Sequence, residues 1–107
     1  QIFLKVVKDN KIIGSVRAYL DKSTCHIGKL IVHPGFQNKG IGTILLHEAE
    51  NLFPNARRYE LFTGQKSLKN IYIYKKNGYT QFRNMKISEK LTLVFMEKVM
   101  VTHHLDI

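Results

Sequence analysis

Cysteine is almost missing from this chain. Of 107 residues only Cys25 carries a thiol, so no disulfide can form within it, which fits a reducing, cytoplasmic setting. Long apolar runs are missing as well. None approaches the roughly 20 residues that a membrane-spanning helix needs, so no membrane partner is expected. Repeats, low-complexity tracts and linkers are absent, and the length suits a single domain, residues 1–107, around one core. The first residues, Gln1 to Asn10, alternate as a strand does and lack the layout of a signal peptide. Acidic residues are scarce, 8 against 17 lysines and arginines, which leaves a net charge of +9. Such a surplus suits an anionic partner, nucleic acid or a phosphorylated small molecule, or else a solvated lysine surface that binds nothing. The basic residues recur as Lys39, Arg57-Arg58, Lys66, Lys69 and Lys75-Lys76 rather than as one block. No RNA-recognition motif and no aromatic platform accompanies them. His103-His104 lacks partner ligands at metal spacing, so no metal is assigned.

What is present reads as alternating strand and helix patterns. Strands are expected at Ile2–Val7, Ile12–Leu20 and Cys25–Val32, with Asp9-Asn10 as a hairpin turn between the first two. "KLIV", which closes the third, has the aliphatic density of a strand buried on both faces. A helix follows from about Lys39 to Leu52, where Ile41, Leu45, Ala49 and Leu52 recur at helical spacing, until Pro54 stops it. Arg58–Thr63 reads as a fourth strand. Ser67 can cap a second helix, Leu68–Asn77, which Gly78 ends in a left-handed conformation. Tyr79–Ile87 and Leu91–Val101 are two closing strands. The order β-β-β-α-β-α-β-β predicts an α/β (α+β) domain with a mixed, mostly antiparallel central sheet and helices packed on it. A ligand cleft is expected where the third and fourth strands end.

The stretch "HPGFQNKGIG", His33 to Gly42, puts two glycines between a strand and a helix. There the backbone amides of Asn38 to Thr43 can hold an anion at the helix's positive end.

Val32-His33-Pro34-Gly35-Phe36-Gln37-Asn38-Lys39-Gly40-Ile41-Gly42 resembles the signature of the GNAT superfamily of N-acetyltransferases: an aliphatic strand end, a proline, then Gln or Arg-x-x-Gly-x-Gly or Ala. A second block agrees at the right distance. Ser67 to Tyr79 is similar to the family's second cofactor helix, whose ending Tyr, three residues, Gly, aromatic is met by Tyr74, Gly78 and Tyr79. The resemblance spans Lys29 to Tyr79 and implies the acyl-CoA N-acyltransferase-like fold, with acetyl-CoA as cosubstrate and a primary amine as acceptor. It implies that Asn38, Lys39, Gly40, Ile41, Gly42 and Thr43, with Gln37, line the pyrophosphate. It also implies that the third and fourth strands splay, leaving the backbone of Leu30, Ile31 and Val32 to meet the pantetheine arm as an added strand would. Gly40 and Gly42 would let the backbone approach because a Cβ there would collide with phosphate oxygens.

Tyr74 matches the tyrosine that protonates the departing CoA thiolate in many relatives, and is the catalytic candidate; packing on a helix face is its structural alternative, and Tyr72 reads as packing or surface. Ser67 stands where the family most often has an asparagine on the pantetheine. It can serve as that contact or only as a helix cap, and Asn70 one turn on can supply the amide instead. A general base is not marked: Glu60 is the only strand carboxylate nearby, and His26 lies at the far end of its strand. Cys25 reads as buried filler. The family's domains usually open with a strand and two helices before the first hairpin. This chain is expected to start at the second strand, as a fragment or a reduced form, and an uncovered sheet edge or face would favour a homodimer. Two other readings compete with the enzyme: a CoA-binding module without catalysis, and a small basic RNA- or ribosome-binding protein.

Overall fold

A computed structural model describes residues 1–100; His103-His104 lies outside them. Six strands form one sheet in the order β1-β2-β3-β4-β6-β5. They are β1 (Ile2–Lys8), β2 (Lys11–Asp21), β3 (Thr24–Val32), β4 (Arg58–Gly64), β5 (Thr80–Ser88) and β6 (Leu91–Val99), with α1 (Ile41–Asn51) between β3 and β4 and α2 (Leu68–Lys76) between β4 and β5. The β3–β4 pair is parallel and every other pair antiparallel, which is the expected mixed, mostly antiparallel class.

Local chemistry explains the turns. Asp9 and Asn10 both take positive φ, 51° and 64°, the conformation a two-residue hairpin needs to match the twist of β1 and β2. Gly78, at φ 95°, ends α2 as its lack of a Cβ allows. Most boundaries lie within one or two residues of the sequence reading, and the turn before α1 differs in kind. Residues Pro34–Phe36 form a 3-10 turn, and α1 begins at Ile41 rather than Lys39, because Gly40 at φ 81° is left-handed and cannot belong to the helix. Ser67 occupies the first position before α2, but its hydroxyl makes no capping bond; its carbonyl oxygen accepts from the Ile71 amide instead.

Both helices pack on one face of the sheet. Leu45, Leu46 and Ala49 of α1 and Tyr74 of α2 share a core with Val16, Ala18, Cys25, Ile27, Tyr59, Leu61, Val94 and Met96. These strand residues alternate with outward ones, as the period of two requires. The opposite face is uncovered among the described residues: Phe3, Tyr19, Phe62, Phe82 and Val99 are all more than two-fifths exposed. Arg58 spans Glu60 and Glu97 there at 2.6 Å each.

A fork between strands as the candidate active site

β3 and β4 are joined for only three residue pairs, Thr24 with Arg58, Cys25 with Tyr59 and His26 with Glu60. Beyond them β3 runs on to Val32 and β4 to Gly64 without pairing. The cause lies in β3. Arg17 of β2 faces Gly28 but Ser15 faces Ile31, so β3 carries an extra residue, and Lys29 sits at φ 51° within it. Such a bulge bends a strand, and here it swings the end of β3 away from β4.

The backbone of that end meets no strand on the inner side. The His33 amide donates to Ile13 of β2 at 2.8 Å. Alternate residues of a strand aim their amides and carbonyls to opposite sides, so Leu30 and Val32 present theirs to the gap. The Gln37 side chain confirms the direction by donating to the Val32 carbonyl, 3.3 Å away.

The turn after β3 supplies the second half of the site. His33 Nδ1 accepts from the Gly35 amide at 3.0 Å and secures the 3-10 turn. Asn38 at φ 64° and Gly40 at φ 81° then redirect the chain into α1. No side chain caps α1 and no acidic residue lies in its first turn, so the first amides of the helix lack partners within it and its positive end is bare. The two glycines owe their places to different constraints. A Cβ on Gly40 would meet nothing within 4 Å, so its left-handed φ is what selects glycine. A Cβ on Gly42 would lie 3.2 Å from Ile73 Cδ1, so the close approach of α1 to α2 adds a packing constraint at this residue of the cleft wall.

Fork and turn open into one cleft of about 680 Å³, within the range of small-molecule sites. Of the residues expected from sequence, Leu30, Ile31, Val32, Gln37, Asn38, Gly40, Ile41, Gly42, Thr43 and Asn70 line it. Lys39 does not; its ammonium lies 5.4 Å from the centre of the Phe36 ring. Ser67 does not either. It lines a separate depression of about 200 Å³ between the start of α2 and the β5–β6 turn, so of the two candidates for the amide contact only Asn70 is in the cleft. Tyr74 is on the inward face of α2, 3% exposed and 6.1 Å from the Tyr79 ring centre, and is not part of the cleft wall. Loss of hydration pushes its phenol up to about 12. Cys25, wholly buried, is likewise pushed up to about 11, by desolvation first and by Glu50 second, so it is a thiol and not a thiolate.

Phe36, Lys69, Tyr72, Ile73 and Lys76 also line the cleft; the sequence reading does not assign them to it, and gives Tyr72 as packing or surface. For α2 a signal existed: Lys69, Tyr72, Ile73 and Lys76 are spaced to share one helix face. His26 and Glu60 close the fork at its narrow end, His26 Nδ1 3.8 Å from Glu60 Oε2, with Tyr19 stacked on the imidazole at 4.9 Å. Among the described residues no group of three histidine, cysteine or acidic side chains could hold a metal, and no helix is long and apolar enough to cross a membrane.

Comparison with known proteins gives the site a family. No curated protein matches the sequence. Among solved structures, an acetyltransferase from Bacillus cereus ATCC 14579 is 27% identical, with a TM-score of 0.81 over 92% of this chain and 72% of that one. A GNAT family acetyltransferase from Elizabethkingia anophelis, crystallised with acetyl-CoA bound, is 24% identical, with a TM-score of 0.80 over 92% of this chain and 75% of that one. A ribosomal-protein-alanine N-acetyltransferase from Brucella melitensis shares the fold at 15% identity, with a TM-score of 0.77 over 92% and 68% of the two chains. The model of the acetyltransferase (GNAT) family matches residues 1–79, the span that holds the bulged strand, the amide turn and both helices of the cleft; the chain belongs to the GNAT acetyltransferase family.

Proposed function

We propose that this protein transfers the acetyl group of acetyl-CoA to a primary amine. The observation that carries the reading is a juxtaposition. A strand end whose amides and carbonyls at Leu30 and Val32 meet no strand on their inner side lies in the same cleft as the uncapped first turn of α1. A pantetheine arm carries amides that can pair with such a strand, and its pyrophosphate suits the bare amides of Ile41 to Thr43. Asn70 is placed to meet the arm from α2. A cofactor so held would bring its thioester to the fork. Attack by a neutral amine on the thioester carbonyl forms the C–N bond. Collapse of the tetrahedral intermediate breaks the C–S bond, releasing the thiolate, and the nitrogen gives up a proton.

Tyr74 is the proposed donor to the thiolate. It lies one turn beyond Asn70 on α2, and a phenol held up at about 12 keeps its proton at neutral pH. The proton from the nitrogen is assigned to the pair His26 and Glu60, the last residues joined before the strands part and both on the sheet face away from the helices. That face is then the side from which the amine arrives.

The burial of Tyr74 favours a second reading, a CoA-binding module without catalysis, since the hydroxyl must reach the sulfur to act. One experiment separates the two. Acetyl-CoA is incubated with a panel of small amines, peptides with free N-termini and lysine peptides, and free thiol is measured. Thiol release that requires both protein and amine is expected. Tight CoA binding with no release for any acceptor would leave the binding module; no CoA binding at all would remove both readings.

A further inference from the structure

The charges around the cleft are one-sided. Its wall contains no carboxylate, and its only charged side chains are Lys69 and Lys76 of α2. Among the described residues neither is in an ion pair, whereas Arg58, Lys86 and Lys98 each have a carboxylate within 4 Å. Between the two lysines, on the same helix face, stands Tyr72, 65% exposed and part of the cleft wall. Lys69 Nζ donates to Gln37 Oε1 at 3.1 Å, so this ammonium already reaches across the mouth to the amide turn.

We propose that Lys69, Tyr72 and Lys76 form a second anion subsite, which reads a phosphate monoester on the ribose of a bound nucleotide, the 3′-phosphate in the case of CoA. The proposal rests on the acetyl-CoA reading and adds to it the group by which the nucleotide end is selected. The amides of the α1 turn can satisfy a pyrophosphate. Those amides leave nothing for a further dianion, and Lys69 and Lys76 are the only cations in the cleft wall. Two mobile ammoniums on flexible stems are suited to that dianion. Lys69 and Lys76 are seven residues apart, about 10 Å along the axis, so their side chains can converge over Tyr72 between them. The tyrosine ring offers a purine a stacking surface at that level. Binding would exchange the Lys69–Gln37 contact for a phosphate contact and release the Gln37 side chain from the Val32 carbonyl, which the pantetheine arm needs.

The test is calorimetric titration of the protein with CoA and with 3′-dephospho-CoA. Both should bind, CoA the tighter on the order of tenfold, a size set by two exposed charge-assisted contacts. In Lys69→Gln/Lys76→Gln the preference should vanish because CoA binding weakens to the level of the dephospho form. Tyr72→Ala should weaken both ligands alike. Equal affinity of the unaltered protein for the two ligands overturns the subsite and leaves the acetyl-CoA reading standing. A preference undiminished in the double variant overturns the assignment to these lysines. Failure of the unaltered protein to bind either ligand overturns the acetyl-CoA reading and the subsite with it. Both lysines are exposed, so circular dichroism should show each variant folded.

Discussion

The two ends of α1 are built on opposite terms. At its start, few polar groups have partners: no side chain caps the helix, no acid lies in the first turn, and the neighbouring strand end meets no strand on its inner side. At its far end the polar groups are tied together. Glu50 accepts from the Tyr79 hydroxyl at 2.6 Å and from Lys98 at 2.7 Å. Lys98 also donates to the Asn77 carbonyl at 3.2 Å, and the Tyr59 hydroxyl donates to Phe53 O at 2.8 Å. His47 and Asn77 join α1 to the end of α2 at 2.8 Å. Unsatisfied backbone at one end is held open for a ligand, and the saturated network at the other holds the two helices and β6 in place so that the cleft keeps its shape. Substitutions at the two ends should therefore fail in different ways.

The largest effect is expected at the saturated end. Lys98→Ala leaves the largely buried Glu50 carboxylate without its cation and should destabilise the fold by about 3 kcal/mol, the scale for breaking a buried pair. Chemical denaturation measures this, and an unchanged midpoint would place the pair among surface bridges of little consequence. CoA affinity of the folded fraction should hold.

Next comes the core between the two ends. Tyr74→Phe removes only a hydroxyl, so packing and acetyl-CoA affinity should change little. Turnover with a found acceptor should fall on the order of 10²-fold if the phenol protonates the thiolate. Equal turnover would return Tyr74 to packing alone.

Alkaline pH probes the same ring through stability. The folded state raises the Tyr74 phenol from 10 to about 12, so between those values the folded chain binds more protons than the unfolded one. Stability is then full below pH 10 and lost as pH rises toward 12, by about 1.4 kcal/mol per pH unit for this one group. Tyr79, raised by burial and by its bond to Glu50, and Tyr59, raised chiefly by burial, act in the same direction. Denaturation midpoints across pH 9 to 12 should fall, and more shallowly in Tyr74→Phe. Parallel profiles would count against the buried, neutral phenol.

The smallest effect on the fold is expected at the open end. Gly40→Ala meets no steric neighbour and bears only the left-handed strain, about 1 kcal/mol. Its effect on CoA should be larger than that on stability, since the first amides of α1 take their direction from this residue. CoA affinity unchanged in a folded Gly40→Ala protein would break the contrast between the two ends.

Much of this was legible in the chain because it depends on neighbours in sequence. The strand and helix periods, the Asp9-Asn10 turn, Gly78 as a helix stop and the two-block resemblance are local patterns, and the structure has them within a residue or two. Ser67 was readable only in part: its position before α2 is local, while the direction of its hydroxyl and its separation from the cleft depend on the β5–β6 turn, more than twenty residues away. The inward burial of Tyr74 likewise needed Tyr79 and the core strands to be in place.

The sequence by itself determined the class of fold, the family and the glycine turn, because periodicity, turn chemistry and a contiguous signature are carried by residues close together in the chain. Only the tertiary structure decided where the strands part, that Gly42 also lies close to Ile73, and that Lys69, Tyr72 and Lys76 share a cleft with the amides of α1. Those facts arise where a bulge at Lys29 turns β3 away from β4 and where two helices, separated in sequence by β4, are pressed against one face of a sheet.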